Sequence, residues 1–259
     1  MPFYYSLQDF SEADQPRVAG RLLALRNLLE FGVGSAGEDD YIAPIPQRTI
    51  NETLLLATWN IREFDAASYG ARVPEAMLYI AEIISRFDIV AIQEVREDLR
   101  PLEKLRNILG RYWRYVVSDV TLGDPGNSER LAIMFDSRKV RFSGLAGEIV
   151  IPGSDGSAAE QLARTPTIVG FKSGWFPFAL CPVHILYGQS DANDADRVRE
   201  IETIAQHLVE RVVDVRKKRT KDPEFHSEFE NVFLLGDFNV FSTNDDTYAA
   251  LTASYAGGA

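Results

Sequence analysis

LLLATWNI, residues 54–61, is an apolar run that ends on an asparagine, Asn60, where a buried strand gains nothing from a carboxamide. Its length and bounded ends fit a strand buried on both faces. Working outward, Pro74 to Phe87 has helical character with a proline in its first turn, and DIVAIQEV (88–95) is a second apolar run, ending in Glu94. Leu99 to Leu109 is a second helix, closed by Gly110. Strand, helix, strand, helix is the order of a layered α/β protein. Far downstream, NVFLLGDF (231–238) repeats the same device, with Asp237 at the strand end and Asn239 just beyond it.

Between these points the chain is rich in strands. WRYVVSDV, RLAIMFD, VRFSG, PTIVGFKSG and FPFALCPVHIL are separated by Gly, Pro, Asn, Asp and Ser. A long helix from about Asp194 to Lys217 carries Val198, Ile201, Ile204, Ala205, Leu208, Val212 and Val215 on one stripe, with a solvated charged face opposite. Asp245 and Asp246 suit a helix start. Before residue 50, Leu22, Leu25, Leu28 and Leu29 have helical spacing over Arg17–Phe31. Gly32, Gly34 and Gly37 end that helix, and EDDYIAPIPQR is a connector. Residues 1–50 are therefore expected to be an N-terminal helical appendage and linker, and 51–259 the main domain.

Composition narrows the chemistry. The 259 residues are 46% hydrophobic and 25% charged, as in an ordinary globular chain. A net charge of -11 argues against a module that only coats nucleic acid, which would be basic. It is compatible with a carboxylate-built metal site, where the cation supplies the positive charge that meets a phosphate. Cys181 is the single cysteine, so no internal disulfide forms, and its apolar setting predicts a buried small hydrophobe. With three histidines in no ligand spacing, a Cys/His zinc site is not expected. No apolar run approaches a membrane span, and the N-terminus has no signal-peptide pattern. A cytoplasmic location and secretion after loss of a signal both stay open.

Asn60, Glu94, Asp237 and Asn239 thus sit at three strand ends, where α/β proteins place ligand sites. Isolated buried carboxylates are costly unless paired or metal-bound. Two carboxylates and two carboxamides suit a hard cation such as Mg²⁺ with a phosphate beside it.

The succession LLLATWNIREFD, DIVAIQEVRED, SERLAIMFD, CPVHIL and NVFLLGDFNV resembles the endonuclease/exonuclease/phosphatase superfamily from Leu54 to Tyr248. QEVRE, YVVSD, SER and the RTP at Arg164 resemble the deoxyribonuclease I branch most. The resemblance implies an α/β (α+β) fold, a four-layer αββα sandwich of two mixed sheets with outer helices. It implies Glu94 as metal ligand and Asn60 as support for metal and phosphate. Asp237 would position or activate the attacking water, and Asn239 would steady the phosphorane. His184 would donate to the phosphate and Glu129 would orient His184. Arg96 and Arg164 match residues that contact the nucleic-acid backbone. The implied cofactor is Mg²⁺ or Mn²⁺, with Ca²⁺ as a possible structural ion, and the implied substrate is DNA. His207 and His226 match nothing.

The superfamily pattern continues past GDxN to a Ser-Asp-His strand end, whereas this sequence stops at LTASYAGGA. The sandwich is therefore expected to lack its last strands. Either the sequence is part of a longer protein, or it is a divergent member that completes its site otherwise or does not catalyse; on either reading, strong activity of these 259 residues alone is not expected. Competing functions are a phosphatase or phospholipase acting on inositol phosphates or sphingomyelin, and a non-catalytic binding module. A nuclease should carry a basic rim at Arg96, residues 123–130 and Arg164. A lipid-acting member should carry an exposed apolar loop, for which KSGWF (172–176) is the nearest candidate, although Trp175 is expected in the core.

Overall fold

A computed structural model describes residues 2–35, 37, 40–64, 72–121, 128–151 and 162–253. Most of the 123–130 loop and the end of the C-terminal tail lie outside the described residues. Along the chain come α1 (Asp14–Phe31), β1 (Leu56–Phe64), α2 (Pro74–Ile84), β2 (Ile89–Val95) and α3 (Arg100–Leu109). Then follow β3 (Trp113–Val117), β4 (Arg130–Asp136), β5 (Val140–Glu148), β6 (Thr167–Ser173), β7 (Phe176–His184), α4 (Ala195–Lys221), β8 (Val232–Asp237) and α5 (Asp246–Thr252). Two mixed sheets result, in the orders β1-β2-β4-β3 and β5-β6-β7-β8. β1 runs parallel to β2 and β7 parallel to β8, while the other neighbours are antiparallel.

Strand alternation builds the layers. From β2 and β4, Ile89, Ala91, Ile133 and Phe135 meet Phe171, Phe178, Leu180 and Leu235 of the second sheet. The intervening Val90, Ile92, Ala132 and Met134 face the other way, onto the helices α1, α2 and α3. On the second sheet, Ala179, Cys181 and Val183 pack against Ile201, Ile204 and Leu208 of α4 and Ala250 of α5. Both faces of the central strands are covered, which is why their sequences are unbroken apolar runs rather than alternating ones. The architecture is the expected αββα sandwich. Cys181 is buried in it, and desolvation pushes its thiol up to about 12.

Residues before 50 make specific contacts with this core. Val18 and Leu22 are buried with α2 and α3. Arg26 pairs with the buried Glu82 at 3.0 Å, and Tyr4 donates to the same carboxylate. Among the boundaries, α2 stops at Ile84, three residues short of the expected Phe87, and α4 continues to Lys221. Trp175 departs from expectation: it is 87% exposed, not in the core. Ser173 pairs with Phe176, so Gly174 and Trp175 form the two-residue tip of the β6–β7 hairpin, and a tip residue has no layer to pack against. The tip lies at the opposite end of β7 from His184.

Candidate active site

The site forms where β1, β2, β7 and β8 end side by side. Asn60 on β1 lies opposite Gln93 in the parallel ladder, and His184 on β7 lies opposite Asp237 on β8. The two sheets present these ends to one another: the Asn60 amide donates to Glu94 Oε1 at 2.7 Å and to Asp237 Oδ2 at 2.9 Å. One carboxamide thus joins a carboxylate from each sheet.

The backbone is bent to achieve this. Register shifts interrupt the β1–β2 ladder between Asn60 and Phe64 and the β2–β4 ladder between Ile92 and Val95. Bulges of this kind re-aim side chains next to active sites. Four non-glycine residues among those described have positive φ: Glu63 (50°), Glu94 (60°), Ser128 (53°) and Asn239 (51°). Each such residue costs on the order of 1–3 kcal/mol and persists only where its surroundings fix it. Two are proposed site residues and a third, Ser128, directly precedes Glu129. The fourth, Glu63, donates its backbone N–H to Glu94 Oε2 at 2.7 Å. The glycine of GDFN has an equally local cause. Gly236 has φ 148°, and a Cβ there would collide with the Val183 carbonyl oxygen of β7.

Asp237 Oδ1 accepts the Asn239 N–H at 3.0 Å, and the Asn239 amide donates to the Ile185 carbonyl at 2.7 Å. Beside them His184 Nδ1 lies 2.9 Å from Glu129 Oε2, so Nε2 is the ring nitrogen available to a ligand. Arg164 Nε donates to the same Glu129 oxygen at 2.7 Å. Arg96 pairs with Glu63 and lies 3.9 Å from Glu129 Oε1. The structure therefore brings together Asn60, Glu94, Glu129, His184, Asp237 and Asn239. Arg96 and Arg164 adjoin them, engaged in ion pairs with carboxylates.

Glu129 is 3% exposed. Burial raises its carboxyl pKa, but the hydrogen bond from His184 and the charge of Arg164 outweigh this and hold it at about 2, below the ordinary 4.5. A depressed folded value means that ionised Glu129 stabilises the fold above roughly pH 4.5, and this stabilisation is lost as the pH falls toward 2. Glu129→Gln is expected to flatten the fall in unfolding free energy over that window. Denaturant titrations of both proteins across it check this, and parallel curves would contradict it.

Two residues escaped the sequence reading. Glu63 gave no signal, because its role comes from a bulge. Glu200 did give one: it lies in the buried stripe of α4 among apolar neighbours. Its carboxylate accepts N–H groups from Ala163 and, at 2.6 Å, from Leu186, bracing the segments that carry Arg164 and His184. Burial pushes that carboxyl up.

A divalent cation can be tested against the donors present. Glu94, Asp237 and the carbonyl of Asn60 are hard oxygens, and Asn60 Oδ1 is buried without a hydrogen-bond partner. No group of three His, Cys, Asp or Glu residues suited to a metal occurs among the described residues. Mg²⁺ does not require one, since it binds through one or two carboxylates and takes its remaining oxygens from water and phosphate. The residues fit such an ion.

The Endonuclease/Exonuclease/phosphatase family pattern matches residues 57–257. Deoxyribonuclease-1 of Canis lupus familiaris is 30% identical over 233 residues, covering 86% of this chain and 66% of that protein. A deoxyribonuclease of Thioalkalivibrio is 30% identical over 205 residues, covering 77% of this chain and 50% of that one. The chain thus spans two thirds or less of the length of these relatives. Among solved structures, a mannosyl-6-phosphatase of Bacteroides thetaiotaomicron superposes with a TM-score of 0.51 at 20% identity, over 77% of this chain and 70% of that one, a likeness of fold. The chain belongs to the endonuclease/exonuclease/phosphatase family, in its deoxyribonuclease I branch.

Proposed function

We propose that this chain carries a divalent-metal-dependent phosphodiester hydrolase site whose substrate is DNA. The observation that carries the reading is the Asn60 amide shared by Glu94 and Asp237, with the His184–Glu129 pair beside it. A partly buried amide tying two carboxylates across two sheets has no packing advantage over apolar side chains. Similarity to deoxyribonucleases supports DNA as the substrate.

Glu94 and Asn60 would hold Mg²⁺ or Mn²⁺, which would offset charge on the phosphorane and the leaving oxygen. Asp237 would orient the attacking water and take its proton as the new P–O bond forms and the bond to the leaving oxygen breaks. Asn239 and His184 Nε2 would hold the non-bridging oxygens, where negative charge grows. Glu129 keeps the His184 ring in place, and Arg164 and Arg96 would meet the substrate backbone from the flank.

The test is cleavage of plasmid DNA and of bis-p-nitrophenyl phosphate with Mg²⁺, Mn²⁺ or EDTA, for this chain, for a version extended to the natural stop codon, and for both with Glu94→Ala. Metal-dependent cleavage of both substrates by the extended chain, abolished in Glu94→Ala, is the expected result. Cleavage of the small diester alone would move the substrate from DNA to another phosphodiester. Cleavage that survives EDTA or Glu94→Ala would reject the proposed site.

A further inference from the structure

The two arginines beside the site are held differently. Glu129 takes Arg164 by Nε at 2.7 Å, and Nη1 of Arg164 lies 3.4 Å from the His184 carbonyl oxygen. Arg96 is taken at its tip instead: Nη2 pairs with Glu63 and also lies 3.9 Å from Glu129 Oε1. Two carboxylates thus address one terminal nitrogen. The Arg96 and Glu63 side chains are 16% and 17% exposed, so water and salt screen the pair less than one on the open surface. Glu63 has no other duty in the site. Glu94 is placed for the metal, Asp237 for the water and Glu129 for His184, whereas among the described residues the Glu63 carboxylate pairs with Arg96 alone. Its backbone is fixed at φ 50° and by the N–H bond to Glu94 Oε2. A displaced Glu63 carboxylate therefore swings on its own side chain and stays within reach of Arg96.

We propose that Glu63 is an internal counter-ion that a substrate phosphate replaces on Arg96, and that it thereby sets how tightly the site holds DNA. This rests on the reading of DNA as the substrate and of Arg96 as a contact to its backbone. In the free protein Glu63 occupies Nη2 of Arg96. On binding, a phosphodiester takes that nitrogen, since the guanidinium fork offers its N–H groups to phosphate and carboxylate oxygens alike. Glu63 is then left without its partner beside an arriving anion, and the exchange weakens binding by what the ion pair contributed. The freed carboxylate also gathers a cation from solution. The exchange therefore releases about one cation fewer than an unpaired arginine would. When the strand leaves, Glu63 retakes Arg96. A carboxylate that only oriented Arg96 would act in the opposite sense, because its loss would weaken binding.

The experiment measures fluorescence anisotropy of a labelled DNA duplex with the full-length protein over a series of salt concentrations. Ca²⁺ replaces Mg²⁺, and strand integrity is checked on gels. Glu63→Gln should bind about fivefold more tightly than the native protein at low salt. Its plot of log Kd against log salt should be steeper by about 0.9. Glu63→Asn, which tolerates a positive φ better, should do the same. In an Arg96→Ala background, Glu63→Gln should bring no gain. Glu97→Gln removes an equal charge from an exposed neighbouring position and should change Kd far less. Unchanged or weaker binding in both Glu63 variants, an equal gain in Glu97→Gln, or an equal gain without Arg96 overturns the counter-ion and leaves the hydrolase reading intact. A gain that requires both Glu63 and Arg96, with no strand cleaved under Mg²⁺ or Mn²⁺, upholds the counter-ion and overturns the hydrolase reading. No duplex binding by any of these proteins overturns both.

Discussion

Asp237→Asn is expected to lower the rate constant for phosphodiester cleavage by about 10²–10⁴-fold, the contribution typical of a positioned proton acceptor. The substitution keeps size and shape, so its effect is chemical. In the native site Oδ1 accepts from the Asn239 N–H and Oδ2 from the Asn60 amide. An asparagine at 237 retains one acceptor and turns an NH₂ group toward a neighbouring donor, so one of the two contacts is lost. The new side chain also cannot take a proton from water. Single-turnover kinetics on a small diester, with unfolding curves for both proteins, separate lost chemistry from lost fold. A variant that folds and cleaves within a few-fold of the native rate would remove Asp237 from its proposed role. A drop confined to KM would make it a binding group instead.

Much of this was legible in the sequence because the strands that carry the site, the central β2 and β7 and the edge strands β1 and β8, are apolar runs with helices on one face and the other sheet on the other. LLLATWNI, DIVAIQEV and NVFLLGDF show where apolar burial stops, and Asn60, Glu94 and Asp237 stand out as polar groups at the stops. His184 was harder, since a lone histidine on an apolar strand is commonly a packed one, and only the order of the motifs set it apart. What the sequence could not show is how the chain bends. Glu63 enters the site because β1 bulges between Asn60 and Phe64, and a bulge has no composition signature when no glycine marks it. Trp175 failed for a related reason. A large aromatic is most often packed in a core, whereas the β6–β7 pairing makes this one the hairpin tip. Glu200 was readable in principle, as a carboxylate inside an apolar stripe, but a stripe tells nothing of the backbone N–H groups that arrive from Ala163 and Leu186.

Asp88→Ala is expected to destabilise the fold by about 3 kcal/mol without changing the chemistry of the site, because it removes one side of a buried charge cluster. Asp88 is 0% exposed. Its Oδ1 accepts from Arg48 Nε at 2.8 Å, and its Oδ2 accepts from Lys139 Nζ at 2.9 Å and the Leu55 N–H at 2.8 Å. Arg48 also reaches Asp136 at 2.9 Å. These contacts tie the start of β1, the start of β2 and the end of β4 at the end of the sheet opposite Glu94. They also bring in Arg48, from the segment that the sequence suggests is an appendage. Alanine at 88 would leave Lys139 nearly buried and short of a counter-charge, and would leave the Leu55 N–H without its acceptor. For a domain of this size the loss corresponds to a fall of roughly 6–12 °C in melting temperature. Arg48→Ala should cost less, because Arg48 is partly exposed and Lys139 still neutralises Asp88. Thermal unfolding of both variants checks the ranking. If Asp88→Ala melts with the native protein, the cluster is ornamental and the first fifty residues are held by α1 packing and by the Tyr4 and Arg26 contacts to Glu82. If Arg48→Ala is the more damaging, the guanidinium bridge from Asp88 to Asp136, rather than the buried carboxylate, is what fastens this end.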